Sequence, residues 1–125
     1  MCKEQAEEIA KQLNETLDSI RTLAVRLIDE SDDLQQMEKG NDTLVVEEKL
    51  LIQLEADSAG KKKFSNQDMR DAELSRRLST DKQYQNNTNS VNKKKTEIEK
   101  LKVELRYLEN KQRNIRTIAS LLASD

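Results

Sequence analysis

Carboxylates are the side chains in this sequence with the most chemical potential. Asp29, Glu30, Asp32 and Asp33 form the densest acidic cluster, and on a helix Asp29 lies one turn from Asp32 and Asp33. Hard divalent cations favour oxygen ligands of this kind. Solvated helix faces carry the same runs, however, and a di-metal carboxylate bundle adds Glu-x-x-His pairs that a chain without histidine cannot supply. The only cysteine is Cys2, which excludes an internal disulfide, and the only glycines are Gly40 and Gly60. The chain therefore lacks a histidine general base, a Cys/His metal set and a glycine-rich phosphate cradle. No catalytic residue, metal site or cofactor is expected, and the four acids are read as a partner-binding face.

The basic side chains point to a second chemistry. Lys61, Lys62, Lys63, Arg70, Arg76, Arg77, Lys93, Lys94 and Lys95 could track the phosphates of a nucleic acid, giving binding that is backbone-directed and sensitive to salt. Farther along, Glu97, Glu99, Glu104 and Glu109 interrupt the basic run at i,i+3 and i,i+4 spacings that neutralise it. Phe64, Tyr84 and Tyr107 are the only aromatics, too few for a base-stacking platform. The same cations have a structural use, as counter-charges to the acidic half inside one bundle or across a dimer.

The elements that must position these groups are helices. With no proline, the chain can run in long helical segments. Ala10, Leu13, Leu17, Ile20, Ala24, Leu27 and Leu34 recur at spacings of three and four, broken only by Ser31, and predict an a/d seam on a helix from about Lys3 to Glu38. Gly40-Asn41-Asp42 reads as its stop. Ile9, Leu23 and Ile28 widen the stripe enough to want more than one neighbouring helix. Residues 43–57 fit a short helix or an extended piece, and helix is preferred because no partner strand is evident. An exposed loop carries Lys61–Lys63, after which Ser65 is the expected cap of a third helix, and Thr80 with Gln83 marks a new start or a kink near Asp81. A second seam follows, with Val91, Ile98, Leu105 and Ala119 at a and Leu101, Leu108, Ile115 and Leu122 at d. Lys94 and Gln112 occupy seam positions where polar residues fix register or oligomer state, or mark a wet end. The segment 85–92 has poor helix propensity and is expected to be the weakest stretch.

Composition and charge agree with that reading. Charged residues make up 37% of the chain and apolar ones 34%, and mean hydropathy is −0.92, which suits narrow seams better than a thick core. A net charge of only −2 and clear periodicity argue against disorder. Charge is divided: residues 1–58 hold an excess of acids and residues 59–125 an excess of bases. The expectation is one helical domain over 1–125, with an acidic half (1–58) and a basic half (59–125). No leader or membrane-length apolar run is evident, so a soluble cytoplasmic protein with no membrane contact is expected.

The run from Gly60 through Phe64, Ser65 and Asn66, then Arg70, Ala72, the set Leu78, Asp81 and Tyr84, and a long helix with Leu105, Leu108, Arg113 and Arg116 resembles small helical proteins encoded by phages and prophages, often near recombination or replication genes. The resemblance covers residues 60–122 and leaves the acidic first half unassigned. It implies no enzyme activity, and either an accessory role in phage DNA metabolism or the binding and disabling of a host factor. The combined expectation is an all-α protein, an elongated antiparallel helical bundle or coiled-coil hairpin forming a homodimer. Its function would be the non-enzymatic binding of a host or phage protein, as inhibitor or adaptor, with a nucleic-acid-binding accessory protein as the alternative.

Overall fold

The structure, a computed structural model, describes residues 1–124 and is all-α. It consists of α1 (Lys3–Leu54), α2 (Gln67–Thr80) and α3 (Lys82–Ala123), with no strand among the described residues. An isolated bridge between Ala56 and Lys62 is the nearest approach to sheet. No helix among the described residues is long and apolar enough to cross a membrane.

Cys2 has a use at the start of α1. Its sulfur accepts the Gln5 N–H at 3.5 Å while its own N–H donates to Gln5 Oε1 at 3.1 Å, the reciprocal pattern of a capping box. The expected stop at Gly40 does not occur: α1 runs through it to Leu54. A glycine ends a helix by taking a left-handed conformation, and Gly60 alone does so among the described residues. Continuity of packing decides the matter, because Met37, Asn41, Leu44 and Glu48 carry the half-buried line past Gly40 without a break. The ambiguity over residues 43–57 is thereby resolved as helix to Leu54.

The seam on α1 is rotated from the expected one. Leu13, Ile20, Leu27 and Leu34 are indeed in it, but the second row is Ile9, Thr16, Leu23, Glu30, Met37 and Leu44. Ala10, Leu17 and Ser31 are exposed, whereas Ala24 is half-buried as expected. Polar residues disguise the true row. Thr16 is only 4% exposed, and its hydroxyl donates to the Gln12 carbonyl at 2.8 Å, so burial leaves it satisfied. On α3 the expected seam is the observed one: Val91, Ile98, Leu101 and Ile115 are buried and Leu105, Leu108, Ala119 and Leu122 half-buried. Residues 85–92 are helical, with Asn87 and Thr88 half-buried beside Val91, so packing overrides weak propensity there.

The chain forms two compact units, residues 1–32 with 96–125 and residues 33–95. In the first, segments of α1 and α3 pass in opposite directions. Gln12 and Glu15 border a groove with Leu108 and Lys111, while Thr22 and Leu23 border one with Leu108 and Glu104. Gln112 stands on this seam with a buried amide nitrogen that has no hydrogen-bond partner among the described residues.

The second unit has three helical segments. The end of α1 and the start of α3 are tied by Asn41 Nδ2 donating to Thr88 Oγ1 at 3.2 Å. Between α1 and α2 the chain turns tightly: Asp57 Oδ1 accepts the N–H groups of Ala59 and Lys61 at 2.9 and 3.0 Å, and Gly60 sits at φ 79°. The cap of α2 is Asn66, one residue past the expected Ser65, and it accepts the Met69 N–H at 2.9 Å. Asp81 both ends α2 and caps α3, accepting the Tyr84 N–H at 3.0 Å. Thr80, expected to head a capping box, instead donates its hydroxyl back to carbonyls of α2.

Two stability predictions follow. A Cβ at Gly40 would meet nothing within 4 Å, so G40A should stabilise the chain by up to about 1 kcal/mol in urea unfolding; a loss would mean that α1 is not helical there. Q112L removes a buried unpaired amide and should add about 1 kcal/mol, read as a higher urea midpoint at unchanged slope.

Candidate functional site

The most fully built polar cluster lies in the second unit, where α2 and the loop before it meet the end of α1. Glu48 comes from the last turns of α1 and Glu55 from the residue just past its end, seven residues on. Glu73, Arg76 and Arg77 come from α2, one turn apart, and Phe64 and Lys63 from the loop. The Arg77 guanidinium joins them. Its Nε donates to Glu73 Oε1 at 2.8 Å, its Nη2 bonds Glu55, and its Nη1 lies 3.7 Å from Glu48, an ion pair without a hydrogen bond.

The Phe64 ring completes the cluster, with the Arg77 Cζ 5.8 Å and the Lys63 Nζ 5.6 Å from its centroid, inside cation–π range. Lys63 also pairs with Glu55 at 3.4 Å, and Arg76 Nε donates to Glu73 at 3.1 Å. The charges fix one another's protonation. Hydrogen bonds from Arg76 and then Arg77 hold the Glu73 carboxyl down at about 2, and hydrogen bonding from Arg77 lowers that of Glu55. Bonds from Glu73 and Glu55 raise Arg77 further above its ordinary value.

The expected nucleic-acid ligands are accordingly divided. Arg76, Arg77 and Lys63 are engaged by carboxylates, and Arg70 is turned inward, donating to the Phe64 carbonyl and to Gln67 Oε1, both at 3.3 Å. Lys61, Lys62, Lys93 and Lys95 are exposed, whereas Lys94 is half-buried beside Asp33, Gln36 and Met37. The acidic candidates divide as well. Asp29, Asp32 and Asp33 are exposed on α1, while Glu30 is half-buried in the seam row. Among the described residues no group of three or more metal-ligating side chains is placed to hold an ion.

Sequence reasoning missed the Arg77 cluster because it counted Arg77 as surface charge. The usable signal was Glu73 four residues before Arg77, a helical pairing that withdraws the arginine from solvent. Comparison of the chain with protein-family models, with curated proteins and with solved structures found no match.

The cluster predicts acid sensitivity of definite sign. Glu73 and Glu55 have depressed values in the folded chain, so the stability they contribute is complete above the ordinary carboxylate value of 4.5 and is lost as pH falls toward about 2. E73Q should lower the melting temperature at pH 7 and converge on the parent near pH 2. Parallel melting curves from pH 5 to pH 2 would remove Glu73 from this role.

Proposed function

We propose that the protein is a non-enzymatic helical interaction module, of the phage-encoded kind its second half resembles, that acts by binding another macromolecule through the acidic surface of α1. The observation that carries this reading is the difference in how the two signs of charge are used. In the cluster around Arg77, bases of the second half are consumed by carboxylates, whereas Asp29, Asp32 and Asp33 stand exposed on α1. Asp29 lies one helical turn from both Asp32 and Asp33, so the three carboxylates concentrate negative charge on a short stretch of helix that would attract a basic host protein. Glu30, half-buried, serves the seam and is dropped from the contact surface.

Nucleic-acid binding is the second reading, and what favours it is the loop around Gly60, which displays Lys61 and Lys62 in the same unit as exposed Lys93 and Lys95. It requires four lysines rather than the arginines of α2. The two readings separate in one pair of variants. D29N/D32N/D33N should abolish capture of a basic partner from a bacterial lysate and leave DNA anisotropy unchanged. K61E/K62E/K93E/K95E should abolish any salt-steep DNA binding and leave partner capture intact. Unchanged capture by the aspartate variant would end the first reading.

A further inference from the structure

The first unit contains two helical segments, and two helices cover one face of each other. On α1 the seam residues Leu13, Ile20 and Leu27 take position a, and Ile9, Thr16 and Leu23 take position d. The next positions around the helix on the a side are e, with Ala10, Leu17 and Ala24, and then b, with Asn14, Arg21 and Ile28. This flank is open. Leu17 is 45% and Ile28 61% exposed, and a shallow groove runs beside Asn14, Leu17 and Arg21. In the second unit the same e row of α1 holds Val45, half-buried, and Ile52, 1% exposed, which lines a cleft with Leu74 of α2. The row is thus built for a covering helix. Among the described residues all three helices are already placed, and within the first unit Ala10, Leu17 and Ile28 of this flank stay exposed.

We infer that this flank is covered by the same flank of a second copy, packed antiparallel about a two-fold axis through Leu17. The occupant is identified by self-complementarity, which an isologous contact demands. Ala10, Leu17 and Ala24 are evenly spaced and symmetric in size. Reversed about Leu17, Ala10 meets the second copy's Ala24, and Leu17 meets Leu17, so a large pair sits between two small ones and the helices approach closely along the whole row.

Charge selects the same direction. Over Ala10–Ile28 the e and b positions carry one charge, Arg21, in keeping with the charge depletion of interface centres. A parallel arrangement would stack Arg21 on Arg21 and Lys3 on Lys3. The antiparallel one sets Arg21 level with Leu13 and Asn14 and Lys3 level with Ser31, so that neither like-charge pair forms. About 28 Å of helix axis takes part, a contact at the small end of specific interfaces, so the dimer should form at micromolar concentration.

This inference rests on the reading of the chain as an interaction module, and its test uses the purified chain alone, with no other macromolecule. In a C2S background, Ala10→Cys and Ala24→Cys variants are mixed and treated with a short thiol cross-linker, beside each variant separately and beside Leu17→Cys. Cross-linking of the mixture and of Leu17→Cys, with little in the separate Ala10→Cys and Ala24→Cys samples, is the expected result. Cross-linking of those two variants each with itself would replace the antiparallel dimer with a parallel one and overturn the proposal. Sedimentation equilibrium supplies an independent readout: Leu17→Glu should weaken dimerisation more than about tenfold, since it loses an apolar pair and opposes two carboxylates. Because Leu17 is exposed in the single chain, helix content should stay the same. A monomer at 200 µM for the unsubstituted chain would exclude the second copy and leave the proposed partner binding to its own test.

Discussion

A helix that repeats its apolar positions every seven residues presents one narrow seam, and a single neighbour fills it. That constraint governs this chain. Both α1 and α3 place their buried residues in two rows three and four apart, and nearly everything buried belongs to those rows. Apolar residues outside them need a second neighbour or remain wet. In the unit spanning residues 33–95, α2 is that neighbour, and Ile52 is the most deeply buried side chain of the core as a result.

Attachment of α2 is accomplished less by apolar area than by charge. None of its residues is fully buried, so a 14-residue helix is held largely through Leu74, Leu78 and the guanidinium of Arg77. A partly buried arginine among three carboxylates would be costly if any contact were missing, since the planar fork must be satisfied in several directions at once. Here Glu73 orients the side chain from within α2, Glu48 on α1 and Glu55 just past its end receive it, and the Phe64 ring lies against it. The loop between α1 and α2 belongs to the same arrangement, because Phe64 and Lys63 reach the cluster only if the chain reverses within the few residues that Asp57 and Gly60 shape.

How much of this was legible depends on whether the local signal and the tertiary demand agree. On α3 they agree: apart from Lys94, Gln112 and Ala119 the seam positions from Val91 onward are Val, Ile and Leu, and the observed rows are the expected ones. On α1 they conflict, since Thr16, Glu30, Asn41 and Glu48 occupy seam positions while Ala10 and Leu17 look more apolar from one row over. A pattern read by hydrophobicity shifts toward the apolar row. Gly40 misled for a related reason, because glycine's cost within a helix, roughly 1 kcal/mol, is smaller than what a continuous packed seam supplies. The Arg77 cluster draws on three separated segments, and no one-dimensional pattern brings those together.

The misreading of α1 is itself informative about function. Ala10 and Leu17 belong to an apolar row that a sequence pattern promotes to the seam, and the folded chain leaves both exposed while half-burying Ala24. Helix propensity accounts for an exposed alanine, which leads that scale, but it favours Leu17 no more than lysine or glutamate. The polar residues placed in the true seam point the same way, since Thr16 and Gln112 weaken the internal pairing of α1 with α3 relative to leucine and so narrow the choice of register. The folded chain thus keeps Leu17 on its surface and Thr16 in its core, an inversion that its internal packing does not require.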